Sequence, residues 1–244
     1  MEVVYEDNHI IIVNKQSGEI VQGDKTGDRP LSDIVKDYIK EKYQKPGAVF
    51  LGVVHRLDRP VSGLVVFART SKALPRLNKM FAEGEVHKTY WAIVECGRLK
   101  EESGRRKEDR LKVKEESGEW QMLENWLTRN EQQNKSYAYD HEVPHSKKAQ
   151  LRYRVLAIGE RYALLEVQLM TGRHHQIRCQ LAAMGCPIKG DLKYGAKRSN
   201  PDGSISLQSH RISFIHPVSK APIDIEAPLP PDPLWGQLQS LIDN

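Results

Sequence analysis

The chain has few cysteines and no long apolar run. Its three cysteines, Cys96, Cys179 and Cys186, are an odd number with no Cys-x-x-Cys pair. That argues against a disulfide framework and against a structural zinc site, and it fits a reducing compartment. No segment approaches the roughly 18 uninterrupted apolar residues of a membrane span. The opening Met-Glu-Val-Val-Tyr-Glu-Asp-Asn is acidic where an export signal is basic and apolar. The expectation is a soluble, cytoplasmic protein without a membrane partner. There is no internal repeat and no low-complexity tract.

At 244 residues the chain can bury a substantial core without covalent staples. Its net charge of +5 and pI near 9.0 are modest, but the charge is uneven. Between Asp140 and Lys220 there are 13 Lys or Arg against 6 Asp or Glu, so this stretch carries +7 and the remainder sums to −2. A localised basic surface is the footprint expected for a polyanion such as nucleic acid.

Val3 to Tyr5 and Ile10 to Val13 read as two strands around a Glu-Asp-Asn turn. Ile34, Val35, Tyr38 and Ile39 recur at helical spacing behind Pro30 and Ser32, with Ser32 as the expected cap. Val49 to Val54 reads as an apolar strand, and Leu64 to Ala68 as a buried one. A helix follows from Ser71, with Leu74, Leu77, Met80 and Phe81 on one face and Gly84 ending it. Tyr90 to Cys96 is a further strand. Ala149 to Leu156 and Tyr162 to Met170 alternate around Gly159 as a hairpin. Thr171 is the expected cap of a helix from Arg173 to Met184. Strands at Leu207 to Ile215 and Ile223 to Glu226 precede a short helix over Leu234 to Ile242. Residues 101–131 hold 7 basic and 9 acidic residues among 31 and few aliphatics, which predicts a hairpin or loop insertion at about 99–131. The pattern predicts a single α+β domain over 1–244 on a mostly antiparallel mixed sheet with flanking helices.

Two constellations carry chemistry. In Val54-His-Arg-Leu-Asp-Arg-Pro-Val-Ser-Gly, Asp58 stands between Arg56 and Arg59 at a turn. Neighbouring guanidinium groups favour an ionised carboxylate, which suits a base or nucleophile. A solvated turn with weak surface ion pairs has the same local sequence. In Thr171-Gly-Arg-His-His-Gln-Ile-Arg, Arg173, Gln176 and Arg178 are expected near a helix N-terminus, where an anion is favoured. Arg178 serves equally well in a structural salt bridge. His174 and His175 lack the i, i+4 spacing of a helical metal pair, and no metal site is expected. Tyr90, in His87-Lys-Thr-Tyr, opens a strand, where a tyrosine can fill the core, stack on a base or move a proton.

Together with Tyr5-Glu-Asp-Asn-His-Ile-Ile-Ile-Val-Asn-Lys, Lys88-Thr-Tyr-Trp-Ala, Pro187-Ile-Lys-Gly-Asp-Leu-Lys-Tyr-Gly and Ala227-Pro-Leu-Pro, these segments resemble the RluA family of RNA pseudouridine synthases over nearly the whole chain. The resemblance implies the pseudouridine synthase fold and isomerisation of uridines in ribosomal or transfer RNA. In that reaction the C1′–N1 bond breaks and C1′ bonds to C5. Nothing is gained or lost, so no cofactor is expected.

The resemblance also makes Asp58 the catalytic carboxylate, Tyr90 the tyrosine packed on the target base, and Arg178 the arginine paired with the aspartate. Substrate contacts are implied for His55, Arg56, Lys88, Arg173 and Gln176, with Arg56 helping to extrude the base. Val61 and His174 depart from the usual Thr and Thr or Ser at those positions. No S4-like module is expected ahead of the catalytic motifs, and the expected state is a monomer. Two other readings stay open: an RNA-binding or ribosome-assembly protein that does not need catalysis, and a nucleoside glycosidase. The latter calls for two carboxylates. Asp191 is the sole other candidate and reads more simply as a turn cap.

Overall fold

A computed structural model describes residues 1–95 and 118–242. They form two compact units, the first from Met1–Lys88 with Gln208–Pro228 and the second from Thr89–Leu207 with Leu229 onward.

In the first unit, β1 (Glu2–Glu6) and β2 (Ile10–Lys15) pair antiparallel around a turn. The Asp7 carboxylate accepts the N–H groups of His9 and Ile10 at 2.7 and 2.8 Å and so fixes that turn. β2 pairs antiparallel with β4 (Ser62–Ala68), and the two-residue β3 (Gly52–Val53) pairs with the end of β4. β10 (Leu207–Ile215) lies parallel to β4 and antiparallel to β11 (Pro222–Glu226).

All of β2, and β4 from Gly63 onward, are buried, as a continuous apolar strand requires when both sheet faces are covered. Helix α1 (Leu31–Lys42) buries Leu31, Val35 and Ile39. Helix α2 (Ala73–Glu83) presses Leu77 and Met80 onto Ile10, Ile12, Leu64, Val66, Ile212 and Phe214. Each such side chain contributes about 1.5–3 kcal/mol when fully buried. Gly84, at φ 75°, closes α2 by donating its N–H to the Met80 carbonyl.

The second unit is an antiparallel sheet in the order β5 (His87–Glu95), β9 (Tyr162–Leu169), β8 (Lys147–Ile158), β6 (Gln121–Asn130), β7 (Lys135–Tyr139). The β8–β9 hairpin turns at Gly159, whose N–H bonds the Tyr162 carbonyl at 2.8 Å. Helix α3 (Gln176–Ala183) packs on one face, where Cys179 meets Leu127, Ala149 and Tyr194. Helix α4 (Pro233–Gln239), capped by Asp232, lays Trp235 and Leu238 on Ile93, Ala157 and Leu164 of the other face.

The class is α+β on a mostly antiparallel mixed sheet, as expected, with β4 and β10 running parallel. Several boundaries differ. The Val49–Val54 strand shrinks to Gly52–Val53, where the first residue sits against Leu74 so closely that an added Cβ would lie 2.6 Å from its Cδ1. Ser32 is not the cap of α1, which starts one residue after Pro30 with no side-chain cap. The expected insertion ends in real structure: 121–130 is β6, paired with β7 and β8, while 96–117 and Cys96 lie outside the described residues. Thr171 does not cap α3. The residue before that helix is His175, at φ 50°, and Arg173 therefore precedes the helix.

Gly63 lies at φ 109°, and an added Cβ would sit 2.3 Å from the Ser209 carbonyl oxygen. Both the backbone conformation and the parallel β4–β10 contact demand glycine. Gly63→Ala is expected to destabilise folding by about 3 kcal/mol or more, read as a lowered urea midpoint. A variant as stable as the parent would show that this register is not what holds β4 in place.

Candidate active site

In the first unit, the turn carrying Asp58 hangs on β2 and β4. The Asp58 carbonyl accepts the Val61 N–H at 3.0 Å, closing the turn. Lys15, at the end of β2, is fully buried, and its Nζ donates to the carbonyls of Gln16 (3.0 Å), Arg59 (3.1 Å) and Val61 (2.6 Å). The Gly18 N–H adds a bond to the Arg59 carbonyl at 2.9 Å. Burial pushes the Lys15 ammonium down to about 8, against the pull of the Glu19 and Asp58 charges. The buried amine thus clamps the turn and places a cation in the field of the Asp58 carboxylate.

The arginines that flank Asp58 in sequence behave differently from the expectation. The Arg59 guanidinium turns to Asp28 (2.6 Å) and Thr26 (2.9 Å). Arg56 is exposed and makes no ion pair among the described residues.

His55 fixes the other end of the segment. Its ring stacks on Phe81 of α2, with centroids 4.6 Å apart, and its Nε2 accepts the backbone N–H of Val66 at 2.9 Å. Burial, and then the nearby Lys88 charge, push this imidazole down to about 3, so it is a permanent neutral acceptor. The Lys88 Nζ sits 5.2 Å from the Phe81 ring centroid, and burial lowers its pKa. It has no carboxylate or hydrogen-bond acceptor among the described residues, an arrangement ready for an incoming anion.

In the second unit, Tyr90 is buried on β5, in register with Val167 of β9. Arg178 on α3 makes a two-pronged bond to Asp191, Nε to Oδ2 at 2.7 Å and Nη2 to Oδ1 at 2.9 Å, and both residues are buried. Its guanidinium also lies 5.1 Å from the Tyr194 ring centroid. Asp191 is therefore not a turn cap. Its carboxylate orients the guanidinium and balances its charge. Nothing in the sequence links positions 13 residues apart across a turn, so this pair is visible only in three dimensions.

Gln176 is buried, and its amide is spent within the chain: Oε1 accepts from the Arg173 N–H (2.9 Å) and the Thr171 hydroxyl (2.8 Å), while Nε2 donates to the Gln150 carbonyl (3.0 Å). The Arg173 Nε donates to the Lys148 carbonyl at 3.1 Å.

The two histidines are tied to separate partners. Nδ1 of His174 contacts the Ser136 hydroxyl at 2.9 Å, and its Nε2 contacts Asn134 Oδ1 at 3.1 Å. His175 Nδ1 meets the Tyr194 hydroxyl at 2.9 Å. That hydroxyl also accepts the Ser136 N–H at 2.8 Å. Burial, followed by the Arg178 charge, pushes His175 down to about 2. Among the described residues no group of three or more His, Cys, Asp or Glu side chains converges as a metal-holding cluster.

The second unit pairs an antiparallel sheet with a buried tyrosine and an arginine on a short helix. The first presents a carboxylate on a clamped turn. Comparisons with known proteins give the class to which this fold belongs. The model of the RNA pseudouridylate synthase family matches residues 9–183. Ribosomal large subunit pseudouridine synthase C of Vibrio cholerae is 29% identical over 93% of this chain, which spans 65% of that relative's length. The mitochondrial pseudouridylate synthase RPUSD4 of Xenopus tropicalis is 31% identical over 94% of this chain and 77% of its own. The solved structure of human RNA Pseudouridylate Synthase Domain Containing 4 superposes with a TM-score of 0.72 at 19% identity, covering 99% of this chain and 93% of that one, a likeness of fold. The chain belongs to the RNA pseudouridylate synthase family, in its RluA branch.

The buried imidazoles make stability depend on pH. His55 and His175 stay neutral when folded, whereas in the unfolded chain each binds a proton near pH 6.5. Below that value the unfolded state holds more protons, so stability falls as pH drops through about 6.5. Urea denaturation is expected to show a loss of about 2–3 kcal/mol between pH 7.5 and pH 5.5, diminished in His175→Gln. Stability that is level or rising toward pH 5.5 would contradict the neutral assignments.

Proposed function

We propose that the protein is an isomerase that converts specific uridines of ribosomal RNA, or of transfer RNA, to pseudouridine in the cytoplasm, with its two units acting as one catalytic domain in a monomer. The observation that carries this reading is membership of the RNA pseudouridylate synthase family over a region that contains both the Asp58 turn and the Arg178 helix. No helix among the described residues is long and apolar enough to cross a membrane, which accords with a protein that meets its RNA in the aqueous phase.

In this proposal Asp58 carries the reaction. Its carboxylate either attacks C1′ of the target nucleotide or removes the C2′ proton, and either route breaks the C1′–N1 bond and releases the uracil from the sugar. The uracil then turns so that C5 faces C1′: in the first route the C5–C1′ bond forms as the Asp58–C1′ ester bond breaks, and in the second it forms as the proton held by Asp58 returns to C2′. The C5 proton is then lost and N1 takes one up, so the net change is an isomerisation. Tyr90 packs on the uracil and limits its motion to that rotation. Arg178, aimed by Asp191, stabilises negative charge at the Asp58 carboxylate. The target base must first leave its stack, at a cost of a few kcal/mol that is least in loops and distorted helices. Arg56, exposed beside the turn, takes the place of the extruded base, and Lys88 and Arg173 hold phosphates. His55 and Gln176 act indirectly in this scheme, because their polar atoms already hold β4 and the Thr171–Arg173 segment. No step needs a redox or group-carrying cofactor.

The test is pseudouridine formation in purified RNA by the Asp58→Asn variant. This variant is expected to fold and to bind RNA like the parent, with turnover lost by a factor of about 1,000 or more. Retained turnover would defeat the assignment. For Tyr90 the ring is the working part, so Tyr90→Phe should keep at least about ten-fold more activity than Tyr90→Ala. Equal losses would give the role to the hydroxyl.

A further inference from the structure

The sheet of the second unit has a face that the chemistry above does not use. α3 covers one side, and on the other α4 covers only the end bearing Ile93, Ala157 and Leu164. Residues directly opposite on paired strands project to the same face. By register, Tyr139 stands beside Trp126, Tyr137 beside Thr128, Trp126 beside Lys148, and Met122 beside Arg152, all on the side away from α3. Met122 is 57% exposed, and Tyr137 and Tyr139 are each 37% exposed. Trp120, just ahead of β6, lies on this face with the guanidinium carbons of Arg152 and Arg154 at 4.5 and 5.0 Å from its ring.

The charges on this face are not balanced. Arg154 pairs with Glu166, and Lys148 with Glu124 at 2.9 Å. Arg152 has no carboxylate among the described residues: its Nε and Nη2 both donate to the neutral Oε1 of Gln168, at 2.8 and 2.6 Å. An unneutralised guanidinium layered on an indole, beside exposed aromatic rings, is complementary to a polyanion whose repeating units carry flat faces. Stacking on such rings accepts any base, and the cation meets the backbone.

We propose that this face is a second RNA-binding surface, a platform on which single-stranded RNA stacks through Trp120, Tyr137 and Tyr139 while Arg152 meets its phosphates. It would extend the RNA-modifying reading by holding RNA away from the reacting nucleotide, raising affinity without changing the chemical step. An acidic peptide would meet Arg152 but would leave the row of rings without a partner.

The probe is a fluorescein-labelled oligouridylate of about 12 nucleotides containing 4-thiouridine, with the full chain. Irradiation should give adducts in peptides from residues 119–139. Arg152→Glu, and separately the pair Tyr137→Ala with Tyr139→Ala, should weaken binding about five-fold or more, and Arg152→Glu should lower the log–log salt slope by about one. Single-turnover pseudouridine formation at saturating RNA should be unchanged in both. The tyrosines are surface side chains, so the double variant keeps the test valid if the arginine variant folds poorly. Adducts confined to other peptides would overturn the proposal. So would affinities within about two-fold of the parent in both variants, or displacement of the RNA by polyglutamate at equal charge. Binding and cross-linking need no turnover, so a protein without isomerase activity would sink the catalytic reading and leave this one to stand or fall alone.

Discussion

One buried ammonium ties the turn of Asp58 to the rest of its unit. Lys15 ends a strand whose every residue is buried, and it spends its three protons on the carbonyls of Arg59 and Val61 in the turn and of its own neighbour Gln16. Removing that donor would leave three carbonyls without it, at about 1–3 kcal/mol for each one left unsatisfied. The turn is therefore specified by a charge in the core as much as by its own sequence. Its remaining supports point the same way: the His55 ring accepts the Val66 N–H from beneath, and Gly63 lets β4 run against Ser209 at backbone distance. A carboxylate placed at such a turn is preorganised, which is what chemistry at a single sugar carbon requires.

The second unit reaches rigidity by another route. Arg178 and Asp191 form a buried pair whose geometry is fixed by two parallel hydrogen bonds, and Tyr194 flanks it with a ring on the guanidinium and a hydroxyl on His175. Burying two charges is costly unless every lone pair and proton finds a partner, and such pairs are better at defining geometry than at adding stability. An arginine held this way cannot swing out into solvent. The neutral His175 fits the same design, since a second cation beside Arg178 would weaken the pair.

Much of this was legible from pattern alone. β2 and β4 announce themselves as uninterrupted apolar runs, and β8 and β9 as alternating ones around Gly159. The end of α2 at Gly84 follows from its left-handed conformation. What escaped has physical reasons. Strand β7, Lys-Ser-Tyr-Ala-Tyr, is polar at the outer end of its sheet order and lacks a buried run, and β6 is amphipathic within a charged stretch. Thr171 resembles a helix cap because of its place before the helix, but its hydroxyl bonds Gln150 and Gln176 and leaves the helix start to a residue of positive φ. At the candidate site, motif order is what nominates Asp58, Tyr90 and Arg178. Lys15 on the turn and Asp191 on the guanidinium lie within quoted motifs, but they are remote in sequence from the residues they hold, and nothing local shows those pairings.

The central claim, that a clamped carboxylate in this chain isomerises uridine in RNA, is tested most directly by mapping pseudouridines in ribosomal and transfer RNA from cells with and without the gene. The account predicts that one or more positions revert to uridine in its absence and are restored by the parental protein but not by one lacking the Asp58 carboxylate. An unchanged map in the deleted strain, or full restoration without that carboxylate, would contradict it.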